Sequence, residues 1–310
     1  KRSHTSSSYL RVVGALLKDL REVRAACARS LRFDGWRRQP FWVYIYGASQ
    51  CGKSTFANHL APKMLAHMGW DVHDVYSKDC VDGYWSGYYQ QKCLKMNDLS
   101  AVNARMTCPL EQQLIPLIST EEKMVSSAEI EGKGIQFLSE LAISSSNVAD
   151  APTSSEVLDG EAYRLRRKVL IKCRRAAQWV HAEDGSRTEL LSPTGEIVTK
   201  DFDPSDALNC TEVQWVHPNS GTALPGPRGQ WHMAHSTLPA IFEAMEEHFL
   251  LEDKKREAWK LNTGAKSRTG TEVSTYLRGL IGALGSYKQI QSTSDVSEAG
   301  ERKFLVAVDG

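Results

Sequence analysis

The stretch Gly47-Ala48-Ser49-Gln50-Cys51-Gly52-Lys53-Ser54 admits few folds, because it has the spacing G-x-x-x-x-G-K-S and follows the apolar run Phe41-Trp42-Val43-Tyr44-Ile45-Tyr46. The glycines let the backbone curl so that successive amide N–H groups face one anion. Lys53 then sets its charge between the β- and γ-phosphates, and the Ser54 hydroxyl is placed to ligand Mg²⁺. From Ser54 through Thr55 to Leu60 the composition is helical, and the positive end of that helix points at the same anion. Strand, loop and helix in this order predict binding of a nucleoside triphosphate, with Gly47, Ala48, Ser49, Gln50, Cys51, Gly52, Lys53, Ser54 and Thr55 as its cradle.

A chain of 310 residues, 41% of them hydrophobic, can bury one large α/β domain with an appendage. Its 38 Lys and Arg against 37 Asp and Glu announce no general affinity for polyanions. The charge is uneven, however: residues 1–40 hold ten Lys or Arg against three acids, and a second basic cluster runs from Arg164 to Arg175. Solvated faces are the usual reading of such clusters, and a polyanion track is the other. Seven cysteines without a C-x-x-C pair fit reduced thiols better than a disulfide frame or a zinc site. No apolar run reaches bilayer length, and the N-terminus shows no signal-peptide core. The chain starts at Lys1 rather than Met, as a processed or excised piece would.

From Tyr9 to Ala26, Leu10, Val13, Leu17, Leu20 and Val23 recur at helical spacing with basic residues between them. This amphipathic helix is expected to pack on the core or a neighbouring subunit, with an anionic membrane surface as the alternative. Short β-like runs follow at Val72–Tyr76, Cys93–Met96, Gln136–Ser144 and Val169–Ile171, separated by helical or loop segments. Such alternation predicts an α/β fold, a parallel sheet with helices on both faces. Residues 183–230 read as irregular loops or short strands, Leu238 to Phe249 and Val273 to Leu284 as helices, and Phe304 to Val308 as an apolar tail. The expected division is 1–39 (N-terminal helix and linker), 40–180 (nucleotide-binding core), 181–235 (irregular Trp-, Pro- and Gly-containing extension) and 236–310 (helical C-terminal region).

A phosphate-binding loop needs a carboxylate for Mg²⁺ on a neighbouring strand, a polar group that senses the γ-phosphate, and often an arginine from another subunit. Asp98 ends the run Cys93-Leu94-Lys95-Met96-Asn97-Asp98 and is the candidate acid, with Ser54 the other metal ligand. Asn147 ends Leu141-Ala142-Ile143-Ser144-Ser145-Ser146-Asn147, a strand leading to a polar tip. Arg166 and Arg167 precede the next strand.

Four features in this order resemble the superfamily 3 helicase, the non-structural ATPase of picornavirus-like positive-strand RNA viruses. They are the phosphate loop itself, Tyr84-Trp85-Ser86-Gly87-Tyr88 with Gln91, the Phe137-x-Ser139-x-x-Ala142-Ile143-x-Ser145-x-Asn147 pattern, and Ala162-Tyr163-x-x-Arg166-Arg167. The Trp-Ser-Gly-Tyr version and Lys133-Gly134-Ile135 are most similar to the plant-infecting secovirus (nepovirus-type) branch. The resemblance covers roughly residues 40–175. It implies an AAA+-like P-loop NTPase fold, ATP with Mg²⁺, and a ring hexamer acting on single-stranded RNA. It implies further a place among other viral replication proteins in membrane-associated replication complexes of the host cytoplasm. It gives Lys53 and Ser54 to phosphate and Mg²⁺, Asp98 to the metal or its water, and Asn147 to the γ-phosphate. Arg166 or Arg167 would reach into the adjacent subunit's site. The family usually places two acids where this chain has Asn97-Asp98; an amide cannot act as a general base, which makes Glu111 a second candidate for activating water. A nucleotide-binding, membrane-associated scaffold with little unwinding is the competing reading.

Other residues have plainer readings beside functional ones. Tyr84, Trp85, Tyr88 and Tyr89 are aromatics suited to stacking on bases, yet beside a motif such residues more often fill a core. Lys133 reads equally as an RNA contact from a pore loop, by the same resemblance, or as a solvated lysine. Cys51 has no His partner near it in sequence and is not expected to be a nucleophile. His232 and His235 lack the further ligands a metal site needs.

Overall fold

The computed structural model describes residues 36–100, 110–128, 133–151, 157, 159–176, 208 and 211–264, short strands at 179–181, 188–191 and 197–198, and scattered positions between 13 and 23. The phosphate loop joins β1 (Phe41–Gly47) to α1 (Lys53–His67). There follow β2 (Val75–Lys78), β3 (Cys93–Met96), α2 (Leu110–Leu117), β4 (Leu141–Ser146), α3 (Gly160–Arg166) and β5 (Val169–Arg175). The strands β6 (Trp179–His181), β7 (Thr188–Leu191) and β8 (Ile197–Val198) pair antiparallel in a small sheet. β9 (Thr211–Val216), β10 (His232–Met233) and α4 (Leu238–Thr263) complete the described chain.

One seven-stranded sheet has the order β10-β9-β5-β1-β4-β3-β2. The five strands from β5 to β2 run parallel, and β9 and β10 extend the sheet antiparallel beyond β5. The central strand β1 is apolar along its whole length because both its faces are covered, as parallel strands require. Phe41, Val43 and Ile45 face Phe56, Leu60 and Met64 of α1 and Ile241, Met245 and Phe249 of α4. Trp42 and Tyr44 point the other way, into a core with Leu110 and Leu114 of α2, Tyr163 of α3, and Trp85, Tyr88 and Phe137. The result is three layers, helix on sheet on helix, with every parallel strand delivering its C-terminal end to the edge that carries the phosphate loop.

β3 spans the expected Cys93–Met96, but β2 begins three residues later than its sequence reading, and β4 begins at Leu141 rather than Gln136 and runs on to Ser146. The three serines that lead to the polar tip are all buried, and two of the hydroxyls serve the sheet directly. Ser144 Oγ accepts from the Trp42 indole at 2.9 Å, and Ser146 Oγ donates to the Leu99 carbonyl at 2.6 Å. The region expected to be an irregular extension supplies β9 and β10, and α4, assigned to a C-terminal region, packs on the main sheet. α4 also closes the hydrogen bonds of Gln39, two residues before β1: Glu252 accepts from the Gln39 amide at 3.0 Å, and His248 Nε2 donates to its carbonyl at 2.7 Å. Described positions between 13 and 23 are helical, with Leu17 and Leu20 exposed. The helix read at Val273–Leu284 and the tail at Phe304–Val308 lie outside the described residues.

Candidate nucleotide site

The loop's shape follows from two left-handed residues. Gln50 has φ 62° and Gly52 φ 95°. Gly52 is the N-cap of α1 and offers no side chain, so no side-chain cap satisfies the helix's first amides. Four N–H groups at a helix start lack intrahelical partners, and together with the helix dipole they form a cradle for an anion. At Gly47 a Cβ would lie 2.3 Å from the Cys173 carbonyl oxygen, and at Gly52 one would lie 1.9 Å from Thr211 Oγ1. Both glycines are therefore required by the backbone's close approach to β5 and β9.

Lys53 is only 5% exposed and does not wander in solvent. Its Nζ donates to the Ala48 carbonyl at 2.7 Å and to Asn147 Oδ1 at 2.9 Å. The structure thus unites the loop lysine with the polar tip of β4, the strand next to β1. Asn147 is exposed, as are Ala48, Ser49, Gln50 and Ser54, so the loop's rim is open. Asp98 stands at the end of the following strand, exposed, with φ 53°. Its place is fixed by neighbours: its amide donates to Ser145 Oγ at 3.4 Å, and the Leu99 amide to the Ser145 carbonyl at 2.8 Å. Lys95 Nζ bonds Asn58 Oδ1 at 3.0 Å and ties β3 to α1. Phosphate loop, Asn147 and Asp98 consequently line one edge across β1, β4 and β3. Ser54 and Asp98 are hard oxygen donors, and Mg²⁺ characteristically takes one or two protein oxygens with the rest from phosphate and water. These residues fit ATP with Mg²⁺. Among the described residues no group of three or more His, Cys, Asp or Glu could hold a metal ion by itself.

The two arginines, one or other of which is expected to reach a neighbouring subunit's site, are placed differently from each other. Arg167 is 2% exposed, donates to the carbonyls of Ala149 and Pro218 and to Asp150 Oδ1, and stacks on Tyr44 and Tyr163. This is an internal brace, and in this arrangement it cannot extend into another molecule. Arg166 is half-buried and donates to the carbonyls of Ile115 and Ala162, each at 2.6 Å. Burial lowers its pKa, without taking the charge away. Glu111 is buried and accepts from Ser100 Oγ at 2.6 Å. Asn97 is exposed, its carbonyl accepting from the Cys80 thiol, whose pKa burial pushes up to about 12.

Of the four aromatics, Trp85 and Tyr88 are core and Tyr84 is exposed. Trp85, Tyr88 and Phe137 form a ring cluster, and Tyr88 Oη accepts from the Leu138 amide at 2.9 Å. Lys133 lies exposed in a turn before the Met124↔Gln136 bridge. Sequence reasoning missed Thr211 and Arg175, which touch the loop from β9 and β5. Thr211 carries no motif; only the pairing of β9 with β5, 36 or more positions away in sequence, brings it there.

A P-loop NTPase of the α/β class is what this sheet order and this loop define. Residues 43–148 match the family model described as RNA helicase. The chain is 32% identical over 284 residues to the RNA1 polyprotein of Blackcurrant reversion association virus, which covers 92% of the chain and 12% of that protein. It is 37% identical over 204 residues to the RNA1 polyprotein of Tobacco ringspot virus, covering 66% of the chain and 8% of the polyprotein. For the RNA1 polyprotein of Tomato ringspot virus (isolate raspberry) the figures are 36% over 280 residues, 90% and 11%. The chain thus spans about a tenth of the length of the curated relatives it matches, and it belongs to the superfamily 3 type RNA helicase family.

Proposed function

We propose that this chain binds ATP with Mg²⁺ and hydrolyses it to remodel or unwind RNA in a viral replication complex, engaging single-stranded RNA as it does so. The observation that carries the reading is Lys53, buried at an uncapped helix start and held between Ala48 and Asn147 at the edge where Asp98 also emerges. The loop amides and Lys53 would hold the β- and γ-phosphates, Ser54 and Asp98 the metal, and Asn147 would orient the γ-phosphate or the attacking water. Mg²⁺ supplies charge neutralisation at the phosphate oxygens. RNA as the substrate, a homo-oligomeric ring (a hexamer), other replication proteins as partners and a membrane-associated site in the host cytoplasm rest on the family and its polyprotein relatives. Among the described residues no helix is long and apolar enough to cross a membrane.

A second reading, a nucleotide-binding, membrane-associated scaffold with weak or no helicase activity, is favoured by the single acid at Asn97-Asp98 and by the inward turn of Arg167. Steady-state phosphate release, with and without single-stranded RNA and over a range of protein concentrations, separates the two. The motor predicts turnover that rises with RNA and with concentration. Binding of ATP with no turnover under any of these conditions would leave the scaffold.

A further inference from the structure

We propose that Thr211 and Arg175 are positioning residues of the phosphate loop, setting nucleotide affinity through the loop backbone without touching the nucleotide. The inference rests on the proposed nucleotide binding and concerns what makes the loop competent for it. Thr211 Oγ1 donates to the Cys51 carbonyl at 3.1 Å, and the Arg175 guanidinium donates to the carbonyl of Gln50. The two residues are directly paired across β5 and β9, so one step of sheet register delivers both donors to the loop.

The physics lies in the peptide plane. In a trans peptide the C=O of one residue and the N–H of the next point in opposite directions. Holding the carbonyls of Gln50 and Cys51 toward the β5–β9 edge therefore aims the amides of Cys51 and Gly52 away from it, toward the mouth of the loop. Without these holds the two peptide units lose a restraint, and Gln50 is a non-glycine residue in the left-handed region, a conformation that persists where its surroundings enforce it. Thr211 is 1% exposed, so its carbonyl partner has no water to replace the hydroxyl. The same hydroxyl occupies the space of a Cβ at Gly52, which makes the second glycine of the loop and Thr211 a matched pair. Preorganised amides bind an anion more tightly than amides that must first be ordered.

The test is ATP affinity of the full 310-residue chain, measured by titration calorimetry with Mg²⁺ present, for Thr211→Val, Thr211→Ser, Arg175→Gln and Lys53→Ala. Thr211→Val keeps the shape and removes the donor, and is expected to weaken binding about tenfold or more. Thr211→Ser keeps the donor and is expected to stay within about threefold of the parent. Arg175→Gln is expected to lose about threefold to tenfold. A merely structural role would lower the melting temperature of the nucleotide-free protein and leave the affinity of the folded molecules unchanged. Parental affinity in both Thr211→Val and Arg175→Gln, with Lys53→Ala impaired, overturns this inference alone. Parental affinity in Lys53→Ala overturns the nucleotide site itself. If Thr211→Val does not fold, Arg175→Gln decides: weakened binding supports the brace and parental binding overturns it.

Discussion

Asp98 presents its carboxylate from a left-handed backbone position that Asp and Asn tolerate because their short polar side chains bond locally. Ser145 and Ser146 fix that turn from the next strand, through the Asp98 and Leu99 amides and the Leu99 carbonyl. Asp98→Asn therefore preserves the backbone and removes only the charge. Phosphate release dependent on Mg²⁺ should fall on the order of a hundredfold or more, while ATP affinity stays within a few fold. Unchanged turnover would place the metal-binding acid elsewhere, with Glu111→Gln the next variant to assay. At this scale the loop from Gly47 to Thr55 was legible in the sequence because its chemistry is local: backbone angles, one lysine, one hydroxyl. Asp98 and Asn147 were legible as strand tips. Thr211 and Arg175 were not, since a single threonine or arginine acquires its role only from strand pairing.

At the scale of elements, one candidate arginine is set inside the fold. Arg167 follows α3 and turns inward, where it spans the loop after β4, Pro218 and the rings of Tyr44 and Tyr163. Arg167→Ala is expected to lower stability by about 3 kcal/mol, read as a lower denaturant midpoint, because it empties a buried site and strands its carbonyl partners. Mixing it with Lys53→Ala should restore no activity. Intact stability with rescue on mixing would instead mark Arg167 as a residue acting across subunits. The paired arginines looked alike in sequence, and only the burial of α3 against β1 separates them. α4 makes a second element-scale prediction. Burial holds the His248 imidazole below its ordinary pKa, opposed by its bond to the Gln39 carbonyl. Its stabilising contribution is therefore complete above the unfolded value of about 6.5 and is lost as pH falls through the lower folded value. Between pH 7 and 5 the denaturant midpoint of the parent should drop more steeply than that of His248→Gln. Parallel pH profiles would contradict this.

Across the whole molecule, alternating strands and helices were enough to predict a parallel sheet flanked on both faces, and the sheet is that for five of its seven strands. What was not legible was its extension: β9 and β10 sit in a stretch rich in turn-forming residues, and their apolar positions Val213 and Trp215 signal a strand only once β5 offers a free edge. That extension carries Thr211 to the loop, so fold and site are completed by the same step. The basic cluster from Arg164 to Arg175 likewise dissolves into separate tasks, since Arg167 braces the interior, Arg174 pairs with Glu212 at 2.7 Å and Arg175 holds Gln50. The central claim, that this edge of the sheet is a nucleotide site organised around Lys53, is tested most directly by titration calorimetry of ATP with Mg²⁺ into the parent and Lys53→Ala. Saturable binding of one nucleotide per chain is expected of the parent and at least about tenfold weaker binding of the variant, the loss of a charge-assisted contact to phosphate. Equal affinity in the two would contradict it.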